Sequence, residues 1–408
     1  MKCRHCHEPL QDVFLDLGFA PPSNAYLTLA QLNQPETYFP LKLFVCSNCW
    51  LVQTEDYAQA DELFKFDYAY YSSTSRSWLK HAEVYTKQIT QRFGLGPNSF
   101  VIEVASNDGY LLRNFLGPGI PCLGIEPTEG TANAAESLGI PVLREFFSDA
   151  LAQKLSQDGK SADLIIGNNV YAHVPDINDF TQGLMSVLKP GGVITLEFPH
   201  LMRLIDQAQF DTVYHEHFSY LSLYSVIRIF EKAGLRVWDV EELRTHGGSL
   251  RVYGCHAQDA RKTSESVQEV LAAETSRGLR NLETYKNFQP RANRVKDDLI
   301  AFLISEKRAG RKVAAYGAAA KGNTLLNYAG IKSDLLPFVC DAAASKQGKF
   351  LPGTHIPITS PQALVESRPH TVLILPWNIS DEVIEQNKHV RDWGGQFAVA
   401  VPEIRIIK

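Results

Sequence analysis

The sequence contains no run of about 20 apolar residues, so no helix is expected to cross a membrane. Its opening, Met1-Lys2-Cys3-Arg4-His5-Cys6, lacks the apolar stretch of a secretory signal, and cytoplasmic residence is the expectation. A basic excess is also missing. Forty Lys and Arg stand against forty-five Asp and Glu, a formal charge of −5. Nucleic-acid binders usually carry a clearly basic face, so no such partner is expected. Tandem repeats and low-complexity tracts are absent, as is the three-glycine fingerprint of dinucleotide-binding turns. What is present is an ordinary globular composition, 45% apolar and 21% charged. The 408 residues exceed what one core usually serves, so two or three domains are expected.

Seven cysteines are unevenly spread, four of them in the pairs Cys3-x-x-Cys6 and Cys46-x-x-Cys49. A cytosolic chain keeps thiols reduced, so paired cysteines point to metal rather than disulfide. Each Cys-x-x-Cys turn presents two thiolates to one ion, and two turns complete a tetrahedral four-sulfur site suited to Zn²⁺. Four sulfurs leave no open coordination position, which makes a structural zinc the expectation. His5 and His7 are spaced as neighbours rather than ligands. Cys122, Cys255 and Cys340 stand alone and read as small buried apolar residues.

Three textures divide the chain. Residues 1–75 are turn-rich and carry the clustered cysteines. From about 90 to 255, short apolar strands alternate with helical stretches; the clearest strands are residues 100–104, 121–125, 162–166 and 193–196. That is the βαβ rhythm of a doubly wound parallel sheet. A charged helical stretch at about 263–306, interrupted at Pro290, reads as a solvated linker. Strands at 312–316, 336–340 and 371–375 then announce a second, smaller α/β unit. The fold class is therefore α/β, with the chain divided as 1–75, 76–300 and 301–408.

The first core strand runs into Ala105-Ser106-Asn107-Asp108-Gly109, where Gly109 permits a sharp strand-to-helix turn. The second ends at Glu126, placed to accept both hydroxyls of a ribose. Leu188-Lys189-Pro190-Gly191-Gly192 precedes a later strand. Each feature alone also occurs in NAD-binding folds. In this order and spacing they resemble the class I S-adenosylmethionine methyltransferases. The resemblance implies a cofactor site of Glu103, Ser106, Asn107, Asp108, Gly109, Glu126 and Asn168, with Phe147 where side chains often pack on adenine.

Two further clusters look like reaction chemistry: Tyr214-His215-Glu216-His217-Phe218-Ser219-Tyr220 and Asp67-Tyr68-Ala69-Tyr70-Tyr71. Four ionisable side chains in succession cannot form one apolar face. With the two cysteine turns, His246-Gly247-Gly248-Ser249-Leu250-Arg251 and Ala315-Tyr316-Gly317-Ala318-Ala319-Ala320-Lys321-Gly322-Asn323, they resemble the TDP-sugar C-methyltransferases over nearly the whole chain. That family joins a zinc module, a class I (Rossmann-like) methyltransferase core and a C-terminal Rossmann-like α/β domain. The resemblance implies C-methylation of a nucleotide-linked 4-keto-deoxysugar beside its ketone, at C-3 or else C-5, through an enolate. His217 would be the base, with Glu216 orienting it or touching the sugar. Tyr214, Tyr68 and Tyr71 would hydrogen-bond the sugar and the oxygen that gains charge. His173 is a further pocket residue. Tyr316 and Gly317 begin a strand-to-helix turn; backbone amides at the helix N-terminus that follows, with Lys321 and Asn323, would cradle the substrate's diphosphate, and Asp341 would lie on the nucleotide side. The partner implied is a nucleotide-diphosphate sugar. Methylation of an oxygen or nitrogen on the same plan, or a zinc-ribbon binding protein with an inactive methyltransferase fold, are the competing readings. The sequence leaves the oligomeric state open, and a monomer is compatible with it.

Overall fold

A computed structural model describes residues 1–55 and 71–408; Tyr68 lies outside the described residues. Three sheets organise the chain, with strands numbered along it. The N-terminal sheet is antiparallel: β1 (Asp12–Ala20), β2 (Phe39–Val45), β3 (Val52–Thr54) and, far along the chain, β9 (Ser219–Tyr220), in that order. β9 pairs with β3 through Val52↔Tyr220 and Gln53↔Ser219. The segment expected to carry the chemistry thus ends as a strand of the zinc module.

The central sheet contains β4 (Val101–Val104), β5 (Cys122–Ile125), β6 (Val142–Leu143), β7 (Ala162–Asn168), β8 (Leu188–Pro199), β10 (Leu235–Leu243) and β11 (Ser249–His256). Its order is β10-β11-β8-β7-β4-β5-β6, with β11 antiparallel to both neighbours. All four residues of β4 are buried, as a strand covered on both faces requires. Strand order reverses about β4, which is flanked by β5 and β7. The crevice beyond such a switch point is where doubly wound sheets hold ligands. One detail differs from expectation: Leu188–Gly192 is the beginning of β8 rather than a turn before it. The register passes from Ala162↔Leu188 to Leu164↔Val193, so Lys189 to Gly192 bulge out of the ladder.

The C-terminal sheet has β12 (Val313–Tyr316), β13 (Val339–Cys340), β14 (Ile358–Thr359), β15 (Thr371–Ile374), β16 (Gln396–Val399) and β17 (Arg405–Ile407). Its order is β14-β13-β12-β15-β16-β17, parallel except for β17, with a second switch point at β12. No described helix is long and apolar enough to cross a membrane.

The helical stretch between these sheets is not a solvated linker. Helix Phe288–Arg308 buries Phe288, Ala292, Val295, Leu299 and Leu303, one stripe at helical spacing. Phe288 and Tyr285 meet Phe14 of β1 at centroid distances of 4.8 and 5.4 Å. One hydrophobic core therefore runs from β1 and β2 through this helix to the C-terminal sheet. Pro290 does not interrupt the helix. It occupies the first turn, where a missing N–H costs nothing. The break lies earlier, at Gly278, whose φ of +76° ends the preceding helix.

Candidate active site

The four cysteines converge. The Sγ atoms of Cys3, Cys6, Cys46 and Cys49 all lie within 4.8 Å of one another, with Cys3–Cys49 and Cys6–Cys46 each 3.5 Å apart. Tetrahedral Zn²⁺ with bonds of about 2.3 Å places sulfurs roughly 3.8 Å apart, so the cluster fits zinc. Gln53 donates to the Cys3 sulfur at 3.2 Å, as a thiolate ligand favours. His5 turns away to Asn178, at 2.8 Å. The module is fastened to the central domain by Lys232 Nζ on the His5 carbonyl and Arg4 on the Pro175 carbonyl.

At the switch point of the central sheet, buried polar atoms gather without protein partners. Glu103 Oε2, Ser106 Oγ, Asp108 Oδ1 and both amide atoms of Asn168 have no hydrogen-bond partner. Buried polar groups are normally paired, so this concentration marks a place built for a polar ligand. Burial and the neighbouring Glu126 and Asp108 push the Glu103 carboxyl well above the usual carboxylate range. Glu126, also buried, accepts from the Asn107 and Thr128 amides at 3.0 Å each, and its remaining lone pairs stay available. Gly109 is demanded by geometry: at φ +75° an added Cβ would stand 2.4 Å from Ile140 Cδ1.

Two residues fall differently from expectation. Phe147 packs edge-on against Phe180 at 5.2 Å and half buries itself in the core, while Phe146 is exposed. Tyr71, expected at the sugar, lies on the cofactor side. Its hydroxyl would stand 2.7 Å from a Cβ at Gly130, just past the Glu126 loop. The reason is the following turn, whose Ser72 and Ser73 amides donate to Asn107 Oδ1 and Asp108 Oδ2.

The reaction segment is held by its backbone. The Phe218 amide bonds to Ala172 O at 2.8 Å, which brings His217 beside His173. Their ring centroids are 4.6 Å apart, and Tyr214 lies 4.0 Å from His217 on another side. His217 Nδ1 is 3.0 Å from the Thr212 carbonyl. A carbonyl only accepts, so Nδ1 carries the proton and Nε2 the lone pair. Burial, then His173, His246 and Lys321, hold the His217 pKa well below its usual range, so the ring is neutral at pH 7. Burial likewise lowers His173 to about 4, against a hydrogen bond to the Glu216 backbone. His215 faces the other way, towards the Pro40 carbonyl at 3.2 Å.

The C-terminal unit approaches this segment through helix Ala320–Tyr328, where Thr324 Oγ1 donates to the Val213 carbonyl at 2.8 Å. Both side-chain amide atoms of the buried Asn323 lack a partner. The three amides of the turn that leads into this helix are already committed. The Gly317 amide bonds to Cys340 O, the Ala318 amide to Asp341 Oδ2 and the Ala319 amide to Gly317 O, so the turn consumes its own donors. Asp341 further accepts from the Ala343 amide, which makes its carboxylate a brace for the loop. Tyr316 belongs to the core beneath the sheet. Lys321 points inward, 2.6 Å from Asn378 Oδ1 and 4.7 Å above the Trp377 ring.

Several contributors carried no local signal. Trp377 donates to Asp211 Oδ2 at 2.7 Å. Burial, opposed by Lys321 and Trp377, raises Asp211 to about 6. Asn24, from the zinc module, donates to both oxygens of Glu216 at 2.8 and 3.0 Å. Nothing beyond its place in the turn-rich stretch of residues 1–75 marked Asn24 in the sequence. Gly247, in the expected His246–Arg251 motif, exists for Trp377: at φ +86° its Cβ would lie 2.5 Å from the indole. Gly247→Ala is expected to cost about 1–3 kcal/mol through overpacking and left-handed strain. A lowered urea midpoint checks it, and an unchanged midpoint would show that Trp377 moves freely.

Comparison with known proteins gives three family matches in series: a zinc binding domain at residues 3–64, a methyltransferase domain at 78–240 and a C-methyltransferase C-terminal domain at 244–402. The chain is 35% identical over 407 residues to C-methyltransferase NovU of Streptomyces niveus, covering 100% of this chain and 96% of that one. An uncharacterized methyltransferase of Mycobacterium leprae matches at 27% identity over 24% of this chain and 36% of that protein. Among solved structures, an S-adenosylmethionine-dependent methyltransferase from Clostridium acetobutylicum aligns at 11% identity with a TM-score of 0.35, over 43% of this chain and 91% of that one.

Proposed function

Because the chain belongs to the S-adenosylmethionine-dependent C-methyltransferases that join zinc binding, methyltransferase and C-methyltransferase C-terminal domains, we propose that its substrate is a nucleotide-linked 4-keto-deoxysugar methylated beside the ketone. The nucleotide is TDP and the carbon C-3, with C-5 the alternative outcome. In this reading residues 1–75 hold structural zinc, 76–300 the methyl donor and 301–408 the nucleotide end, with Lys321 and Asn323 facing the substrate.

The observation that carries the reading is the tautomer of His217. Its Nδ1–H is spent on Thr212, so a neutral Nε2 lone pair is presented inside a buried pocket with Tyr214 and His173. A carbon beside a ketone becomes a nucleophile only after losing a proton, and a neutral imidazole is a suitable acceptor. S-adenosylmethionine, when bound, supplies an electrophilic methyl group on a sulfonium. His217 Nε2 takes the α-proton on its lone pair, and the electron pair of the broken C–H bond passes into the enolate. Charge then develops on the keto oxygen. Tyr214 is assigned to bond that oxygen, Tyr68 is a second candidate for the same role, and Lys321 supplies positive potential. The same developing anion raises the affinity of His217 for the proton, offsetting the low resting pKa. Glu216 orients the sugar or the base.

Glu126, with Asn107, Asp108 and Asn168, is assigned to the methyl donor. Two charge-assisted bonds to ribose hydroxyls are each worth about 1.5–3 kcal/mol. Glu126→Ala is therefore expected to weaken S-adenosylmethionine binding at least roughly tenfold without loss of fold. Unchanged affinity by calorimetry would remove Glu126 from the site.

The substrate reading is tested by offering methyl donor with a panel of TDP-4-keto-deoxysugars and locating the new methyl by mass and NMR. A new carbon–carbon bond next to the ketone is the expected product. Methyl on oxygen or nitrogen, or no transfer to any member, would overturn the reading.

A further inference from the structure

Glu216 is held by an asparagine 192 positions away in sequence, on a segment stapled to the opposite unit. We propose that Asn24 is a positioning residue for the reaction, fixing the Glu216 carboxylate from a strap, residues 23–27, that is anchored on the C-terminal unit. The proposal rests on the assignment of Glu216 to the reacting pocket made above.

The orientation of Asn24 follows from its partners. A carboxylate only accepts, so the amide nitrogen must face Glu216, at 2.8 Å from one oxygen and 3.0 Å from the other. That leaves Asn24 Oδ1 facing the Tyr26 hydroxyl at 3.3 Å. Tyr26 has one proton, and the nearer acceptor is the Ala318 carbonyl at 2.6 Å. Lys346 bonds the same carbonyl at 2.9 Å and stands 5.3 Å over the Tyr26 ring. On either side the strap is fixed again. Ser23 Oγ meets Thr324 Oγ1 at 3.4 Å, and Leu27 exchanges both backbone hydrogen bonds with Phe350, at 2.9 and 2.8 Å.

The zinc module thus supplies a donor that spans both oxygens of Glu216, but that donor is indexed on the C-terminal unit. A single buried carboxylate gains orientation from a charge-assisted, two-oxygen contact that a freely rotating water would not give. A purely structural strap would need the Tyr26, Ser23 and Leu27 contacts but not a hydrogen bond aimed at Glu216.

Asn24→Asp separates these roles, because it keeps the shape and inverts the chemistry. Two carboxylates at hydrogen-bond distance repel when both ionise, so the pair takes up a shared proton at higher pH than a lone carboxylate would and loses it again as the pH rises further. The groups beyond them are Tyr26, Asp341 and Lys346, and His173 holds the Glu216 backbone. Relative to wild type at each pH, kcat of Asn24→Asp should be at least roughly tenfold low at pH 8 and recover as pH falls towards 6, when the shared proton restores an O–H···O bond. Asn24→Ala should lose kcat by a similar factor with no such recovery, while affinity for S-adenosylmethionine stays unchanged. Zinc content near one per chain reports that each variant is folded; should Asn24→Ala lose zinc, the near-isosteric Asn24→Asp decides. Wild-type kcat in that variant, or a loss independent of pH, overturns the proposal. Glu216→Gln is the control. If it turns over like wild type, the assignment of Glu216 fails and the proposal with it. If it is impaired while Asn24→Asp is not, only the role of Asn24 is overturned.

Discussion

His217→Asn is expected to lower turnover by roughly 10²–10⁴-fold, the range for a lost general base, while leaving affinity for the methyl donor nearly unchanged. Asparagine keeps the chance of a bond to the Thr212 carbonyl but offers no lone pair in place of Nε2. The sign of the pH dependence follows from the depressed pKa. Burial, with His173, His246 and Lys321 nearby, keeps His217 neutral through the range where an ordinary histidine protonates. The wild-type kcat/KM should therefore hold level as pH falls past 6.5, and drop only in more acid solution as Nε2 takes up a proton. Proton abstraction can be read apart from methyl transfer. In deuterated water, with substrate and the demethylated cofactor, wild type should exchange the α-hydrogen for deuterium and the variant should not. Equal exchange by both proteins would move the base to Tyr68 or elsewhere. His215 is a poor substitute, because its ring addresses Pro40.

The second large effect is on folding. Cys46→Ser should lose the ion and loosen residues 1–75. Zinc binding in small four-ligand modules is worth about 10–16 kcal/mol of apparent free energy, and a serine hydroxyl is a poor replacement for a thiolate. Cys46 directly follows β2 and opens the cysteine turn, and its amide bonds to Leu51 O at 3.0 Å, so the damage enters the sheet directly. Metal analysis after gentle purification should give about one zinc per wild-type chain and well under that for the variant. A variant that retains a full equivalent of zinc would refute the four-thiolate site. Activity should fall with the metal, since Asn24 and β3 both reach the reaction segment from this module.

What the sequence made legible was whatever is written locally. The cysteine pairs meet as their spacing predicts, because each Cys-x-x-Cys turn already fixes two ligands. Four strands of the central sheet were announced by short apolar runs bounded by turn residues, and Glu126 and Asp108 lie where two of those runs end. The reading failed where a residue's environment is set by distant chain. Tyr316 is adjacent to a glycine turn yet belongs to the core, since alternate residues of a strand face opposite sides. The helical stretch before Arg308 looked solvated because charges are spread along it, yet five residues at helical spacing suffice to seat it on β1. Asn24, Asp211 and Trp377 have no signature at all; their partners are 166 to 192 positions away.

The pairing of β3 with β9 also bears on how the protein is made. β3 ends at Thr54 and β9 begins at Ser219, so 219 − 54 = 165 residues must be synthesised before the N-terminal sheet can be completed. At about 5–20 residues per second, the ribosome needs roughly 8–33 s for that stretch. Throughout it, the outer edge of β3 presents unpaired amides and carbonyls in a nascent chain whose neighbouring core is unfinished, a configuration prone to edge-to-edge association. An N-terminal fragment ending near residue 75 should inherit that exposed edge permanently and aggregate even when fully loaded with zinc, whereas chains extended past Tyr220 can close it.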